Sequence, residues 1–146
     1  MSDLLLPEYS VLMCVYKNDK AEYLALAVSS MLSQTVKPHD IVIVCDGELT
    51  PSLDETLDRL IAHQDTNITV VRLNENHGLG YALNYGLPKC QCDIVARMDS
   101  DDLSRPDRCE RLLSKMTKEN LDLVGGAIEE FNHEPGDMGA VRMPPL

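Results

Sequence analysis

The first apolar segment of the chain reads Ser10-Val11-Leu12-Met13-Cys14-Val15-Tyr16 and contains no charged side chain. Unbroken apolar runs of this length, rather than alternating ones, are typical of strands that are covered on both faces. Similar runs predict further strands at 41–45, 68–73 and 93–98, and a fifth at 121–124. The first run therefore indicates a sheet whose two faces both pack against other elements.

Apolar residues recur with helical spacing between these strands. Leu24, Val28 and Met31 share one face of a helix predicted within 21–34. Further helices are predicted to start near Pro51, Leu79 and Pro106. This alternation implies right-handed crossovers and an α/β fold, a mostly parallel sheet with helices on both faces. Residues 132–146 show no clear pattern.

Three carboxylates follow the predicted fourth strand in the stretch Arg97-Met98-Asp99-Ser100-Asp101-Asp102. Like charges this close repel one another, and a divalent cation would offset that repulsion. Mg²⁺ and Mn²⁺ are bound by carboxylates together with water and phosphate oxygens. The alternative interpretation is a solvated acidic turn that caps the next helix, and spacing alone does not decide between the two.

Polar residues also follow the first two strands, as Tyr16-Lys17-Asn18 and Asp46-Gly47. Carboxyl ends of parallel strands share one edge of a sheet, where ligands bind in α/β folds. We therefore expect these residues to converge with the acidic cluster. Each segment alone is also compatible with a plain turn or a helix cap, including Lys17-Asn18-Asp19. The pair Gly78 and Gly80 lacks the full Rossmann pattern and predicts a tight turn near the same edge.

The charge balance limits the class of partner. Thirteen basic residues against 24 acidic residues give a net charge of −11, which argues against nucleic acid. An acidic protein that binds a diphosphate needs a cation between the two. No apolar run approaches the roughly 20 residues of a membrane span. The expected location is the cytoplasm, either free or peripheral on the inner face of the membrane.

The five cysteines and four histidines show no metal-ligand spacing. The pair Cys90 and Cys92 is separated by one residue, whereas zinc knuckles and redox motifs usually have two. A structural zinc site is therefore not predicted, and reduced thiols are expected.

Several short motifs stand in a characteristic order: Tyr16-Lys17-Asn18, Ser33-Gln34-Thr35, Cys45-Asp46-Gly47, Asn76-His77-Gly78, Arg97-Met98-Asp99-Ser100-Asp101-Asp102 and Pro106-Asp107-Arg108. In this order they resemble the amino-terminal, donor-binding part of family 2 glycosyltransferases of the GT-A fold, over residues 9–131. The acidic motif and Glu129-Glu130-Phe131 are most similar to the bacterial exopolysaccharide, amylovoran-type branch.

The resemblance implies a role for individual residues. Val15, Tyr16 and Lys17 would line the pocket for the nucleotide base and ribose. Asp46 would accept a hydrogen bond from the base, typically uracil. The remaining donor-binding residues implied are Asn76, Gly78, Arg97 and Asp99. The metal, Mg²⁺ or Mn²⁺, would be held by Asp99 and Asp101, with Asp102 as the alternative ligand.

The implied reaction is inverting transfer of a sugar from a nucleotide-diphosphate sugar, with UDP as the expected nucleotide. The acceptor would be a saccharide or a lipid-linked molecule in bacterial surface polysaccharide synthesis. Residues 1–131 would form the donor-binding domain, and 132–146 a linker or the start of an acceptor-binding part. The family's catalytic base lies well downstream of the acidic motif, so it is expected beyond Leu146.

Two alternatives stay open at this point. A nucleotidyltransferase would use a similar sheet, but it usually has a glycine-rich loop after the first strand, where this chain has no glycine. A non-catalytic acidic α/β binding module, such as a receiver, would carry its paired acidic residues after the first strand.

Overall fold

The computed structural model describes residues 5–62, 65–131, 134–136 and 140–143. The chain divides into two compact units. The sheet unit comprises Pro7–Cys109, and the C-terminal unit comprises Glu110–Leu146 together with Met1–Leu6.

The sheet unit contains a four-stranded parallel sheet in the order β3-β2-β1-β4. Its strands are β1 (Ser10–Val15), β2 (Asp40–Cys45), β3 (Asn67–Arg72) and β4 (Val95–Asp99). The chain adds β2 and β3 on one side of β1 and then returns to add β4 on the other side. The strand order therefore reverses at β1, and such switch points are where open α/β sheets bind ligands.

Helices cover both faces of this sheet. These helices are α1 (Ala21–Leu32), α2 (Pro51–Ala62) and α3 (Leu79–Gly86), while α4 (Arg108–Glu119) begins at the end of the sheet unit and belongs mostly to the C-terminal unit. Leu12, Val42 and Val44 pack with Ala82 of α3 on one face. The alternate residues of the same strands, including Met13 and Ile43, are also fully buried. Since successive side chains of a strand point to opposite faces, the opposite face is covered as well.

The predicted fold class is confirmed, but the predicted fifth strand is wrong. Residues 121–124 form no strand, and Leu123 is 87% exposed, so no neighbouring strand covers it. The C-terminal unit instead contains an antiparallel pair, β5 (Ile128–Glu130) with β6 (Ala140–Arg142). Strand β6 lies within residues 132–146, whose sequence shows no clear pattern of apolar residues. The division of the chain at residue 131 stays a prediction.

Two predicted boundaries shift by two residues. The helix expected to open at Pro106 begins at Arg108, because Pro106 and Asp107 form a turn. The fourth strand begins at Val95 rather than at 93. Neither shift moves the acidic motif from the carboxyl end of its strand.

Gly86 allows α3 to lie unusually close to the sheet. A Cβ atom at this position would lie 2.4 Å from Cγ2 of Val44 and 2.9 Å from Cδ1 of Leu12. Gly86→Ala should therefore destabilise the fold by about 1–3 kcal/mol, the usual cost of overpacking a core. Urea denaturation would measure this difference.

Gly80→Ala is the matched control for that measurement. Gly80 lies in the same helix, and a Cβ atom there would meet nothing within 4 Å among the described residues. Alanine at this position should be neutral or stabilising by up to about 1 kcal/mol. Equal stability of the two variants would contradict the packing assigned to Gly86.

Candidate functional site

The carboxyl ends of β2, β1 and β4 bring the sequence-predicted residues to one edge of the sheet. Val15 pairs with Cys45, and Cys14 pairs with Asp99. Asp46 therefore leaves the sheet on one side of β1 and Asp99 on the other. Two strand spacings separate β2 from β4, or roughly 10 Å in the hydrogen-bonding direction.

The Asp46 side chain fixes the loop that leads into α3. Asp46 is 4% exposed, and its carboxylate accepts hydrogen bonds from the backbone N–H groups of His77 (2.8 Å) and Gly78 (2.9 Å). Asn76 Nδ2 donates to the same carboxylate at 3.2 Å. Three of about four acceptor positions are thus used, which leaves one on Oδ1. Asp46 both shapes this loop and keeps one acceptor position for a further donor.

Glycines allow the loop to pack this tightly. Gly47 has a φ of +92°, and a Cβ atom there would lie 2.9 Å from the backbone nitrogen of Asn76. Gly78 has a φ of +97°, which L side chains rarely adopt. The backbone of the Asp46-Gly47 turn is therefore in close contact with the backbone of the loop at Asn76.

A cleft of about 350 Å³ opens beside this loop. It is lined by Lys17, Asp46, Gly47, Glu48, Leu49, Thr50, Asn74, Glu75 and Asn76. Of the residues predicted to line a base pocket, Lys17, Asp46 and Asn76 reach this cleft. The side chain of Val15 is fully buried, so only its backbone could face a ligand, and its carbonyl already accepts from the Asp46 N–H.

The acidic cluster converges as the sequence predicts. One carboxylate oxygen from each of Asp99, Asp101 and Asp102 lies within 4.8 Å of the other two, and all three residues are exposed. Arg97 Nη2 lies 3.2 Å from Oδ1 of Asp99. Because α4 begins only at Arg108, none of the three carboxylates occupies its N-cap position. The three carboxylates therefore do not cap α4, and they lie close enough together to be ligands of one ion.

The pKa of the Asp102 carboxyl is raised above its ordinary value. The largest cause is burial, followed by the negative charges of Asp101 and Asp99, while Arg108 opposes the shift. The raised pKa thus reflects the partial burial of the Asp102 carboxyl first and its two negatively charged neighbours second.

Asp19 joins the segment after β1 to the segment after β4, whereas its sequence context predicts only a turn or a helix cap. Its Oδ2 atom accepts hydrogen bonds from the Tyr16 N–H (2.9 Å) and from Ser100 Oγ (3.0 Å). Ser100 is 7% exposed and lies between Asp99 and Asp101 in the sequence. No local sequence pattern could have revealed the contact between Asp19 and Ser100, because these two residues are far apart in sequence.

The motifs Ser33-Gln34-Thr35 and Pro106-Asp107-Arg108 contact each other. The buried Gln34 side chain donates to the Arg105 carbonyl (2.7 Å) and accepts from the Cys109 N–H (3.0 Å). The Thr35 N–H donates to the Pro106 carbonyl at 2.8 Å. Their role is to brace the segment that follows the acidic cluster.

Comparison with known proteins agrees with this arrangement. The family model described as glycosyl transferase family 2 matches residues 10–144. The chain belongs to this family. The GT-A fold expected from the sequence is confirmed. Within the described ranges, no helix is both long and apolar enough to cross a bilayer.

Two relatives are similar over almost the whole chain. The UDP-Gal:alpha-D-GlcNAc-diphosphoundecaprenol beta-1,3-galactosyltransferase of Escherichia coli is 39% identical over 140 residues, 95% of this chain and 50% of the relative. The amylovoran biosynthesis glycosyltransferase AmsE of Erwinia amylovora is 37% identical, over 93% of this chain and 50% of the relative. The chain thus spans about half the length of these relatives.

Solved structures share the fold. The mannosyltransferase PcManGT from Pyrobaculum calidifontis, in complex with GDP-Man and Mn²⁺, aligns with a TM-score of 0.65 and 25% identity over 84% of this chain and 35% of that chain. Staphylococcus aureus TarS 1-349, in complex with UDP, aligns with a TM-score of 0.63 and 24% identity over 77% of this chain and 33% of that chain.

The raised pKa of Asp102 predicts a pH dependence of stability in metal-free buffer. An aspartate whose pKa is higher in the folded chain than in the unfolded chain stabilises the fold at low pH. Its penalty appears as the pH rises through the raised pKa. Asp102→Asn should remove that penalty and stabilise the fold at pH 7 by less than about 1 kcal/mol, since the carboxyls are exposed.

Thermal melting between pH 4 and 8, with a chelator present, would measure this effect. Asp93→Asn is the control, because Asp93 precedes the opposite end of the same strand. Identical pH profiles for the Asp102→Asn and Asp93→Asn variants would contradict the crowding of the three carboxylates.

Proposed function

We propose that this chain is the donor-binding part of an inverting, metal-dependent glycosyltransferase that acts on a nucleotide-diphosphate sugar. The observation that carries the proposal is the placement of two different sites at one sheet edge. A cleft with one remaining Asp46 acceptor position lies on one side of β1, and three converging carboxylates lie on the other side. Family membership makes sugar transfer the reaction that fits this pair.

The cleft beside Asp46 suits a nucleotide base. Uracil offers an N–H group, and Oδ1 of Asp46 has one acceptor position left for it. Asn76 and Gly78 are held by the same carboxylate, so their orientation is fixed before a ligand arrives. Lys17, which also lines the cleft, places a positive charge near the ribose and phosphates. UDP is therefore the nucleotide that we propose.

The acidic cluster suits a hard divalent cation next to the diphosphate. Asp99 and Asp101 would hold Mg²⁺ or Mn²⁺, with Asp102 as the alternative ligand, since such ions prefer carboxylate oxygens. When bound, the ion would stabilise the negative charge that develops on the departing diphosphate. Arg97 pairs with Asp99 and would be close enough to contact the phosphates once the ion takes over that carboxylate.

Single displacement at the anomeric carbon needs a carboxylate to take the acceptor's proton. Among the carboxylates that follow the acidic cluster, Glu130 is in an ion pair with Arg142 within the C-terminal unit. Asp137 lies outside the described residues. We therefore assign the base to neither of them, and the proposed role of this chain is to bind and orient the donor.

The proposed pathway is synthesis of a bacterial surface polysaccharide, with a saccharide or lipid-linked acceptor. This proposal draws on the names of the two relatives, one of which acts on a diphosphoundecaprenol-linked sugar and the other in amylovoran biosynthesis. The proposed location is the cytoplasm, with peripheral contact to the membrane where a lipid-linked acceptor is used. Family membership favours this function over a nucleotidyltransferase or a non-catalytic binding module.

Binding of UDP with Mn²⁺ should raise the melting temperature of the chain. At a ligand concentration about 100 times Kd, the stabilisation would be about 2.7 kcal/mol. Asp101→Ala should abolish the Mn²⁺-dependent part, whereas Asp93→Ala, which changes a carboxylate at the opposite end of the β4 segment, should not. An unchanged melting curve with UDP and Mn²⁺ would falsify the donor-binding proposal.

Asp19→Ala tests whether the hydrogen bonds of Asp19 position the segments that follow β1 and β4. Loss of the hydrogen bonds to the Tyr16 N–H and to Ser100 should weaken UDP–Mn²⁺ binding by up to about thirtyfold, since each of the two bonds contributes about 1 kcal/mol. Asn18→Ala, one residue earlier, is the control. If titration calorimetry gives the same Kd for the two variants, Asp19 does not position the site.

A further inference from the structure

A second group of potential metal ligands lies at the amino edge of the sheet, opposite to the proposed donor site. Glu8 precedes β1, His39 precedes β2, and Cys92 precedes β4. One ligand atom from each residue lies within 4.8 Å of the other two. Since β2, β1 and β4 are adjacent strands, these residues meet only because the sheet forms.

The hydrogen bonds of His39 determine which ring nitrogen could bind a metal. Its Nε2 atom lies 3.0 Å from Oε1 of Gln91, and the tautomer with its proton on Nε2 donates to that oxygen. Its Nδ1 atom lies 3.6 Å from a carboxylate oxygen of Glu8. In this tautomer the lone pair of Nδ1 is the one that can bind a metal, on the side of the ring that faces Glu8.

The backbone around these ligands is held by buried hydrogen bonds. Ser10 Oγ donates to the buried Asp40 carboxylate and accepts from the Cys92 N–H at 3.0 Å. The same carboxylate accepts from the Gln91 N–H at 3.2 Å. The His39 N–H donates to the Tyr9 carbonyl at 2.9 Å. The three ligand-bearing segments are therefore positioned by the core of the sheet unit.

We propose that Glu8, His39 and Cys92 form a site for Zn²⁺, with water completing the coordination. A thiolate, an imidazole nitrogen and a carboxylate are the ligand types that Zn²⁺ selects over Mg²⁺ or Mn²⁺. On binding, the Cys92 thiol releases its proton to solvent and the sulfur bonds to the ion. The charges then balance, because two negative ligands neutralise the dication. Gln91 orients His39 from the outer shell, as metal-bound histidines require.

The proposed site is distinct in chemistry and place from the acidic cluster. It lies at the amino ends of the strands, and a bound ion would link the segments that precede β1, β2 and β4. Zn²⁺ should therefore act on the stability of the sheet unit and leave UDP binding at the other edge intact.

The test is metal binding by the purified full chain in buffer with millimolar Mg²⁺, which occupies carboxylate-only sites. One equivalent of Zn²⁺ should bind and raise the melting temperature by roughly 8 °C at a hundredfold excess over Kd. Co²⁺ in place of Zn²⁺ should give a thiolate-to-metal charge-transfer band. Failure of both metals to bind would overturn the proposal.

Matched variants identify the ligands. Cys92→Ser and His39→Ala should lose the charge-transfer band, and Gln91→Ala should weaken Zn²⁺ binding by about tenfold or more. Cys90→Ser, which changes a thiol two residues away, should keep both the band and the affinity. Circular dichroism of each metal-free variant establishes that it is folded. A band that survives Cys92→Ser but disappears in Cys90→Ser would contradict the assigned ligand set.

Discussion

The buried carboxylate of Asp46 is the interaction on which the proposed donor site depends. It leaves the end of β2 and binds the backbone of the loop that starts α3, so it joins two crossover units of the sheet. Buried carboxylates are costly unless their oxygens are hydrogen-bonded, and here three N–H donors meet that need. Gly47 makes the arrangement possible, since any side chain there would collide with the backbone of Asn76.

On the other side of β1 from this buried carboxylate lies a cluster of three exposed carboxylates. Asp99, Asp101 and Asp102 are exposed and lie close together, and the Arg97 guanidinium lies beside Asp99. Partial burial of the Asp102 carboxyl, followed by the negative charges of Asp101 and Asp99, raises its pKa. A bound cation would relieve the repulsion among the three carboxylates. Their crowding therefore lowers the stability of the metal-free fold and would increase the affinity for a cation.

Sequence patterns predict those elements of the chain that are determined by residues close together in sequence. The four strands of the parallel sheet follow from apolar runs, and the convergence of Asp46 with Asp99 follows from the rule that parallel strands share one carboxyl edge. The stretch 121–124 is also apolar apart from Asp122, but composition alone does not reveal whether a neighbouring strand is present to pair with it.

Contacts that depend on strand register could not be predicted in this way. Asp19 meets Ser100, and His39 meets Glu8 and Cys92, only once β1 lies between β2 and β4. Spacing rules for metal ligands detect residues close in sequence, so they do not detect ligands contributed by three separate strands. The roles of the individual donor-site residues remain predictions.

The strand order has a consequence for how the chain acquires its structure during synthesis. β1 is central, yet its partner on one side, β4, begins at Val95, after α1, α2 and α3 have been made. Until the ribosome has released that segment, β1 presents an open hydrogen-bonding edge that other chains could pair with. Parallel pairing across so long a loop is also slow to form. A nascent chain of this protein would therefore benefit from a chaperone that shields β1 until β4 emerges.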